Sequence, residues 1–177
     1  MKKYLGAIIS GLVGILTFVF LSIANFAQKA TIGGETQKET LTAWDLFNEE
    51  KTVMFEMLDI STGFAKFCVI ALAVVAGLLI VCAVVMLLKN VLKLKLNLNM
   101  INNIVLAAYA LVAVLAVIAF FALGNSFLSH ELLKAEVESI KAMGGSIYVG
   151  PAAGAWINAS VGVVGCAAGW LFARKAD

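Results

Sequence analysis

The sequence is organised around one short stretch, Lys89-Asn90-Val91-Leu92-Lys93-Leu94-Lys95-Leu96-Asn97. It carries three lysines and no acid, and long charge-free apolar segments lie on both sides of it. Loops of this composition stay on the cytoplasmic side of a membrane, because lysine and arginine close to a span resist translocation. The stretch therefore predicts an inner loop, residues 89–99, and it fixes the direction of every other segment.

The composition is that of an integral membrane protein. Of the 177 residues, 62% are hydrophobic, and the mean hydropathy is +0.99. Soluble domains usually contain about 45–50% apolar residues. The excess lies in long blocks, as membrane spans require. The net charge of +2 offers no basic face of the kind that binds nucleic acid.

Four apolar blocks are long enough to cross a bilayer. An α-helix rises about 1.5 Å per residue, so roughly 20 residues cross a hydrocarbon core of about 30 Å. The first block allows a cleaved signal peptide as an alternative, with Lys2 and Lys3 before it and Ser22-Ile23-Ala24 as a cleavage site. Its length exceeds the roughly 7–15 residues of such a core, which favours a retained span. The predicted spans are residues 5–27, 67–88, 100–123 and 147–172.

The charges are distributed by side. The predicted outer loops, residues 28–66 and 124–146, hold six lysines and ten acids. This asymmetry predicts a multi-pass protein of the cell (plasma or inner) membrane with both termini cytoplasmic. The bases on the inner side are Lys2, Lys3, Lys89, Lys93, Lys95, Arg174 and Lys175, against the single acid Asp177.

The first outer loop is predicted to contain an amphipathic helix. Gly33-Gly34 marks a turn. After it, Thr42-Ala43-Trp44-Asp45 matches the S/T-x-x-D/E pattern of a helix start. Trp44 and Phe47 begin an apolar stripe that continues at helical spacing for about four turns. A short strand over residues 52–55 is the alternative.

The second outer loop is predicted to contain another amphipathic helix, of about three turns. Glu131, Lys134, Glu138 and Lys141 recur at steps of three or four, so opposite charges are neighbours on one stripe. Gly144-Gly145 ends the pattern, as glycine often ends a helix. The predicted fold class is an all-α membrane protein, a four-transmembrane-helix bundle with two short amphipathic helices in the extracytoplasmic loops. The whole chain, 1–177, forms a single integral membrane domain.

The fourth predicted span is rich in small residues. Gly150 with Gly154, and Gly165 with Gly169, form two GxxxG pairs. In lipid, such faces let helix backbones approach closely, so this span is predicted to pack against its neighbours or at a subunit interface. Asn158 lies deep in the span and needs a hydrogen-bond partner. We therefore predict helix-packing or partner contacts for Gly150, Gly154, Asn158, Gly165, Gly169, Trp44 and Phe47.

The sequence offers little that points to catalysis or to a bound cofactor or metal. Catalytic and metal sites need converging His, Asp, Glu or Cys, and His130 is the only histidine. A lone histidine beside Glu131 is typical of a solvated surface, and the three cysteines all lie in apolar runs. No acid or base interrupts the four apolar cores, which argues against a proton-coupled transporter. We predict no catalytic residue, no cofactor, no metal and no small-molecule substrate.

The predicted topology is similar to that of claudin-type proteins, which have four spans and a first outer loop longer than the second. That family carries a tryptophan-rich motif ending in paired cysteines in the first loop. Here the loop has Trp44 and no cysteine, so the identifying residues are missing. Tetraspanins differ further, because their large loop is the second and is rich in cysteine. The sequence assigns the chain to neither family.

Two function classes fit these features. The first is a non-enzymatic polytopic membrane protein, acting as a self-associating scaffold or as an accessory subunit of a membrane complex. Its partners would be the lipid bilayer and either further copies of itself or another membrane protein. The alternative is an oligomeric pore or small permeation unit, lined by Ala and Gly faces, with Asn158 and Ser160 as its polar ring. A membrane enzyme comes third, because the outer carboxylates Glu49, Glu50 and Asp59 have no base, metal or nucleophile pattern around them.

Overall fold

The computed structural model describes residues 2–92 and 97–173. This part of the chain is mostly helical, with one small sheet and one 3-10 helix at Trp44–Phe47. The α-helices are α1 (Lys2–Leu21), α2 (Glu49–Met57), α3 (Gly63–Leu92), α4 (Leu98–Ser129), α5 (Glu131–Ala142) and α6 (Ala153–Ala173). The strands are β1 (Ala24–Ile32), β2 (Glu35–Thr42) and β3 (Ser146–Pro151).

The helices α1, α3, α4 and α6 are long and apolar enough to cross a membrane. They form what we call the helical region: α1 packs against α3 and α6, and α4 packs against the same two helices. With 30 and 32 residues, α3 and α4 are each more than about 40 Å long, which exceeds a hydrocarbon core of about 30 Å. Large apolar side chains line the outward faces of all four long helices. On α1 these side chains are Ile8, Leu12, Ile15 and Val19.

Neighbouring helices of the helical region run in opposite directions. The glycines that lie close to a facing helix show this direction. As the residue number of the glycine rises along its own helix, the number of the residue that it contacts falls along the other helix. The start of α1 and the end of α3 therefore lie together, as do the start of α4 and the end of α6. The strands and the short helices lie at the opposite end. The approaches are Gly11 to Ala83, Gly14 to Ala76, Gly162 to Ala113 and Gly169 to Leu106.

The sheet is antiparallel, with the strand order β2-β1-β3. The predicted turn at Gly33-Gly34 is confirmed: the two glycines have φ values of 58° and 88° and join β1 to β2 directly. Positive φ at both residues of a two-residue loop matches the twist of a β-hairpin, and glycine adopts it without steric cost. Residues 24–32 therefore pair with residues 35–42 on one side and with residues 146–151 on the other.

The sheet corrects the all-α prediction and the bounds of two predicted spans. Residues 24–27, assigned to the first span, belong to β1, and residues 147–151, assigned to the fourth span, belong to β3. The Asn25 side chain donates hydrogen bonds to the carbonyl oxygens of Phe20, Leu21 and Ile23, so α1 ends with its last carbonyls satisfied. Pro151 ends β3 and is not in a first helical turn. The other two predicted spans lie within α3 and α4, which extend further.

The first predicted loop helix is replaced by two shorter elements. Thr42 and Asp45 exchange the reciprocal hydrogen bonds that the S/T-x-x-D/E pattern predicts, at 2.7 and 3.2 Å between donor and acceptor. The 3-10 helix that follows stops at Asn48, whose extended backbone interrupts the helical path. The Asn48 side chain then accepts a hydrogen bond from the Glu50 amide and caps α2. Residues 52–55, the alternative strand, lie in α2.

A cluster of aromatic rings joins the sheet to the helices. Phe55 of α2 is fully buried, and its ring centroid lies 5.9 Å from that of Phe26 in β1 and 6.1 Å from that of Phe127 in α4. Both pairs have edge-to-face geometry, which aromatic rings prefer. We call the sheet, the 3-10 helix, α2 and α5 the sheet region. Helix α5 ends at Ala142, and Gly144 follows with a φ of 74°.

Candidate functional site

The small residues of α6 contact other helices of the same chain. A Cβ atom at Gly154 would lie 2.9 Å from the carbonyl oxygens of Phe20 and Ala24, and one at Gly165 would lie 2.9 Å from the Tyr109 ring. A Cβ atom at Gly169 would lie 2.9 Å from a methyl carbon of Leu106. These glycines therefore let α6 approach α1 and α4 closely.

The predicted Gly150–Gly154 pair does not form a helix face. Gly150 lies in β3, where its cross-strand partner is Ala27, and only Gly154 belongs to α6. The hydropathy of residues 147–151 is compatible with either a strand or a helix, and the pairing with β1 decides between them. Gly150 instead lies close to Gly124 of α4. A Cβ atom at Gly124 would lie 3.0 Å from the Cα atom of Gly150.

Asn158 is fully buried in α6. Its two amide atoms have no hydrogen-bond partner among the described residues, so the predicted partner is not found there. Ser160 lies on the exposed side of α6, and its hydroxyl donates to the carbonyl oxygen of Trp156 at 2.8 Å. The two side chains thus occupy different faces and form no polar ring within one chain.

Two further buried polar residues lie in α1 and were missed by the sequence analysis. The Ser10 hydroxyl donates to the carbonyl oxygen of Leu79 in α3 at 2.8 Å, and so joins the two helices. The Thr17 hydroxyl donates to the carbonyl oxygen of Val13, one turn earlier in its own helix. Both side chains are fully buried. A serine or threonine inside an apolar span is itself the pattern that indicates such bonds.

Trp44 and Phe47 lie at the surface, at the end of α1 that faces the sheet. Their exposed fractions are 40% and 44%, large for aromatic side chains. The Trp44 indole nitrogen donates to the Ser22 hydroxyl at 3.2 Å, which fixes the ring beside the start of β1. Both residues belong to the 3-10 helix that directly follows β2.

Strand β2 is an edge of the sheet. It pairs with β1 on one side, and the strand order places it at the end of the sheet. The residues from 35 to 40 are all exposed. The free side of an edge strand offers backbone N–H and C=O groups that can pair with another chain. We call β2, Trp44 and Phe47 together the contact surface.

This edge was not predicted from the sequence. Its signal was present in the two-residue Gly33-Gly34 loop between segments rich in Thr and Gln, a pattern typical of a hairpin. The two glycines predicted a turn, but the residues before them were assigned to a span and a polar loop.

Ionisable side chains form no metal-binding group in the described residues, 2–92 and 97–173. His130 lies at the junction of α4 and α5, where it ends one helix and precedes the next. Cys68, Cys82 and Cys166 are unpaired within the long helices. The Cys166 thiol donates to the carbonyl oxygen of Leu106 at 3.9 Å, one more contact between α6 and α4.

Comparison with known proteins finds no family model that matches the chain, and no curated protein or solved structure that is significantly similar to it. The candidate site is therefore described by the chain's own geometry: the contact surface on the sheet region, and the small-residue contacts of α6 inside the helical region.

Proposed function

We propose that this protein is a non-enzymatic, multi-pass membrane protein that acts as a self-associating scaffold or as an accessory subunit of a membrane complex. The observation that carries the proposal is the contact surface, an exposed edge strand continued by two exposed aromatic residues. Edge strands recruit other chains by adding a strand, and aromatic residues are enriched where proteins meet. The partner would be a second copy or another membrane protein.

The orientation proposed for the protein places both termini in the cytoplasm and the sheet region outside the cell membrane. Lys2, Lys3 and Lys89 belong to the helix ends farthest from the sheet. Lys93, Lys95, Arg174, Lys175 and Asp177 lie outside the described residues, but their positions in the sequence adjoin the same helix ends. Retention of Lys and Arg on the cytoplasmic side supports this orientation.

Of the two roles predicted for the small-residue face of α6, this proposal uses the first, packing against neighbouring helices of the same chain. Because Gly154, Gly165 and Gly169 already contact α1 and α4, they hold the chain together and leave partner contacts to the sheet region. Contacts through the exposed apolar faces of the long helices would be shared with lipid, which competes for the same surface. The contact surface is therefore where specificity for a partner would reside.

Photo-cross-linking in the native membrane tests the proposal. A benzophenone amino acid is placed at Lys38 in β2 and, as a control, at Leu132, which is 72% exposed on α5. We expect one discrete adduct from position 38 and none from position 132. Two differently tagged copies in one cell then distinguish a second copy from another protein.

A variant of the contact surface sharpens this test. Phe47→Ala should weaken or remove the adduct from position 38 without changing expression, because Phe47 is 44% exposed and contributes little to the core. Monomer alone by native mass spectrometry from nanodiscs, together with no adduct from position 38, would reject the proposal.

A further inference from the structure

A half-open cavity of about 540 Å³ lies between one face of the sheet and α5. Ligand sites in proteins usually have volumes of about 300–1,000 Å³ and a mainly apolar lining with a few polar groups. This cavity has that character. Its apolar lining includes Phe127, Leu133, Val137, Ile140, Ile147 and Val149.

The register of the sheet identifies the strand side chains that face the cavity. Side chains directly opposite each other on paired strands share a face. Gln28 lies opposite Val149 and Glu39, and Ala30 lies opposite Ile147 and Gln37. Val149 and Ile147 line the cavity, so Gln28, Gln37 and Glu39 lie on its side of the sheet.

The charge on the cavity side is negative. Glu39 from β2 and Glu136 from α5 both border the cavity. Lys29 and Lys38 also border it, but they lie opposite each other one position along the strands, so their side chains leave the other face. The polar groups that a bound molecule would meet are thus two carboxylates and the amides of Gln28 and Gln37.

Helix α5 forms one wall of the cavity and is built as a cover. It presents Leu133, Val137 and Ile140 to the cavity, while Leu132 does not line the cavity and is 72% exposed. It packs against α4 and β3. A bend at His130 precedes it and Gly144, with a φ of 74°, follows it. A short helix held mainly by one apolar stripe opens more readily than the helices beneath it.

We propose that this cavity binds a small amphipathic amine. Its apolar part fills the space under α5, and its ammonium group lies at the rim between Glu39 and Glu136. Carboxylates form charge-assisted hydrogen bonds with an ammonium group and repel an anion. The site shares Glu39 of β2 with the contact surface, but it uses the face of the strand and not its free backbone edge, and its readout is binding under α5 rather than cross-linking from β2.

Three eight-carbon probes, octylammonium, octanol and octanoate, test the proposal on the full chain in zwitterionic nanodiscs. They share one apolar tail and differ in head charge at neutral pH. Hydrogen exchange of the α5 amides, residues 131–142, reports binding at the cavity. We expect octylammonium to slow this exchange, octanol to slow it less, and octanoate to leave it unchanged. No effect of octylammonium, or an equal effect of all three, would overturn the proposal.

Filling the cavity should remove the effect. Val137→Trp places a large ring in the cavity, whereas Leu132→Trp adds the same ring on the exposed side of the same helix. We expect protection by octylammonium to be lost in the first variant and kept in the second. Equal protection in both variants would place the probe elsewhere and refute the site.

The rim carboxylates provide a test that does not depend on how the tryptophan variant folds. Glu39→Gln and Glu136→Gln keep the shape of the rim and remove one charge each. Because both side chains are exposed, each should weaken octylammonium binding only about threefold at low salt, and octanol binding should not change. Unchanged octylammonium affinity in the double variant would contradict the assignment of an amine.

Discussion

The helical region and the sheet region solve the same problem, the pairing of backbone polar groups, in opposite ways. Each long helix satisfies its backbone internally, so the helices need only approach closely, as Gly162 does against Ala113. In the sheet region, residues 24–32 pair with residues 35–42 across a two-residue turn, and with residues 146–151, which lie more than a hundred residues away. Hydropathy identifies the first kind of structure, whereas the second depends on contacts between distant segments.

The largest effect is expected in the aromatic cluster of the sheet region. Phe55→Ala removes a fully buried ring that contacts Phe26 and Phe127. We expect it to lower the free energy of unfolding by about 3–5 kcal/mol, measured by SDS titration followed by circular dichroism. Phe47→Ala, at a 44% exposed ring, should cost less than about 1 kcal/mol. Equal losses would mean that the cluster does not hold the two regions together.

A close approach in the helical region should come next. A Cβ atom at Gly162 would lie 2.6 Å from the backbone nitrogen of Ala113 and 2.7 Å from the carbonyl oxygen of Tyr109. Gly162→Ala should therefore cost about 2–3 kcal/mol, because the backbones must separate. The matched control is Gly77→Ala in α3, where a Cβ atom meets nothing within 4 Å.

That control should be neutral or stabilise the protein by up to about 1 kcal/mol, since alanine favours a helix over glycine. Both variants are compared by the same SDS titration. If the two substitutions behave alike, α4 and α6 do not pack as closely as described.

The hairpin turn should show a smaller effect. Gly34 has a φ of 88°, so Gly34→Ala forces a side chain into the left-handed region at a cost of about 1–2 kcal/mol. Hydrogen exchange of the β1 and β2 amides should accelerate while that of α3 stays unchanged. Gly33→Asn produces an Asn-Gly pair, which this turn type also favours, so it should be close to neutral. Accelerated exchange in the second variant would indicate a different turn.

The smallest effect concerns the buried amide of α6. Asn158→Leu replaces two unpartnered polar atoms by methyl groups of similar size, so we expect a gain of about 1 kcal/mol. Ser10→Ala, which removes the hydrogen bond to Leu79, should instead cost about 0.6 kcal/mol. A loss of stability in the leucine variant, seen by thermal unfolding in detergent, would show that the amide makes a favourable contact.

The sequence predicted the helical region well where charge or asparagine bounds the apolar run. Lys66 and Lys89 enclose the second predicted span, which lies within α3. The two errors in the span bounds arose at residues 24–27 and 147–151, where a mostly apolar sequence includes both helix and strand. Average hydropathy cannot separate the two, because a buried strand is as apolar as a helix.

The candidate site was predictable only in part. Trp44 and Phe47 were recognised as a potential contact from their apolar character, and the structure places both at the surface. The edge of β2 was not recognised, because its polar residues resemble a solvated loop when their pairing with β1 is unknown. Gly33-Gly34 was the local clue. Partnership with β3, more than a hundred residues away, has no local signal.

The strands run almost without a break into the first and last helices. Two residues, Ser22 and Ile23, separate α1 from β1, and Ala152 alone separates β3 from α6. The Ala152 amide also donates to the carbonyl oxygen of Asn25 at 2.8 Å, tying the two junctions together. Because these joints are so short, we expect the strands and both terminal helices to move together. With 20 and 21 residues, the two helices place their far ends about 30 Å from these joints, so a partner bound at the sheet would be coupled to the other end of the protein through two helices at once.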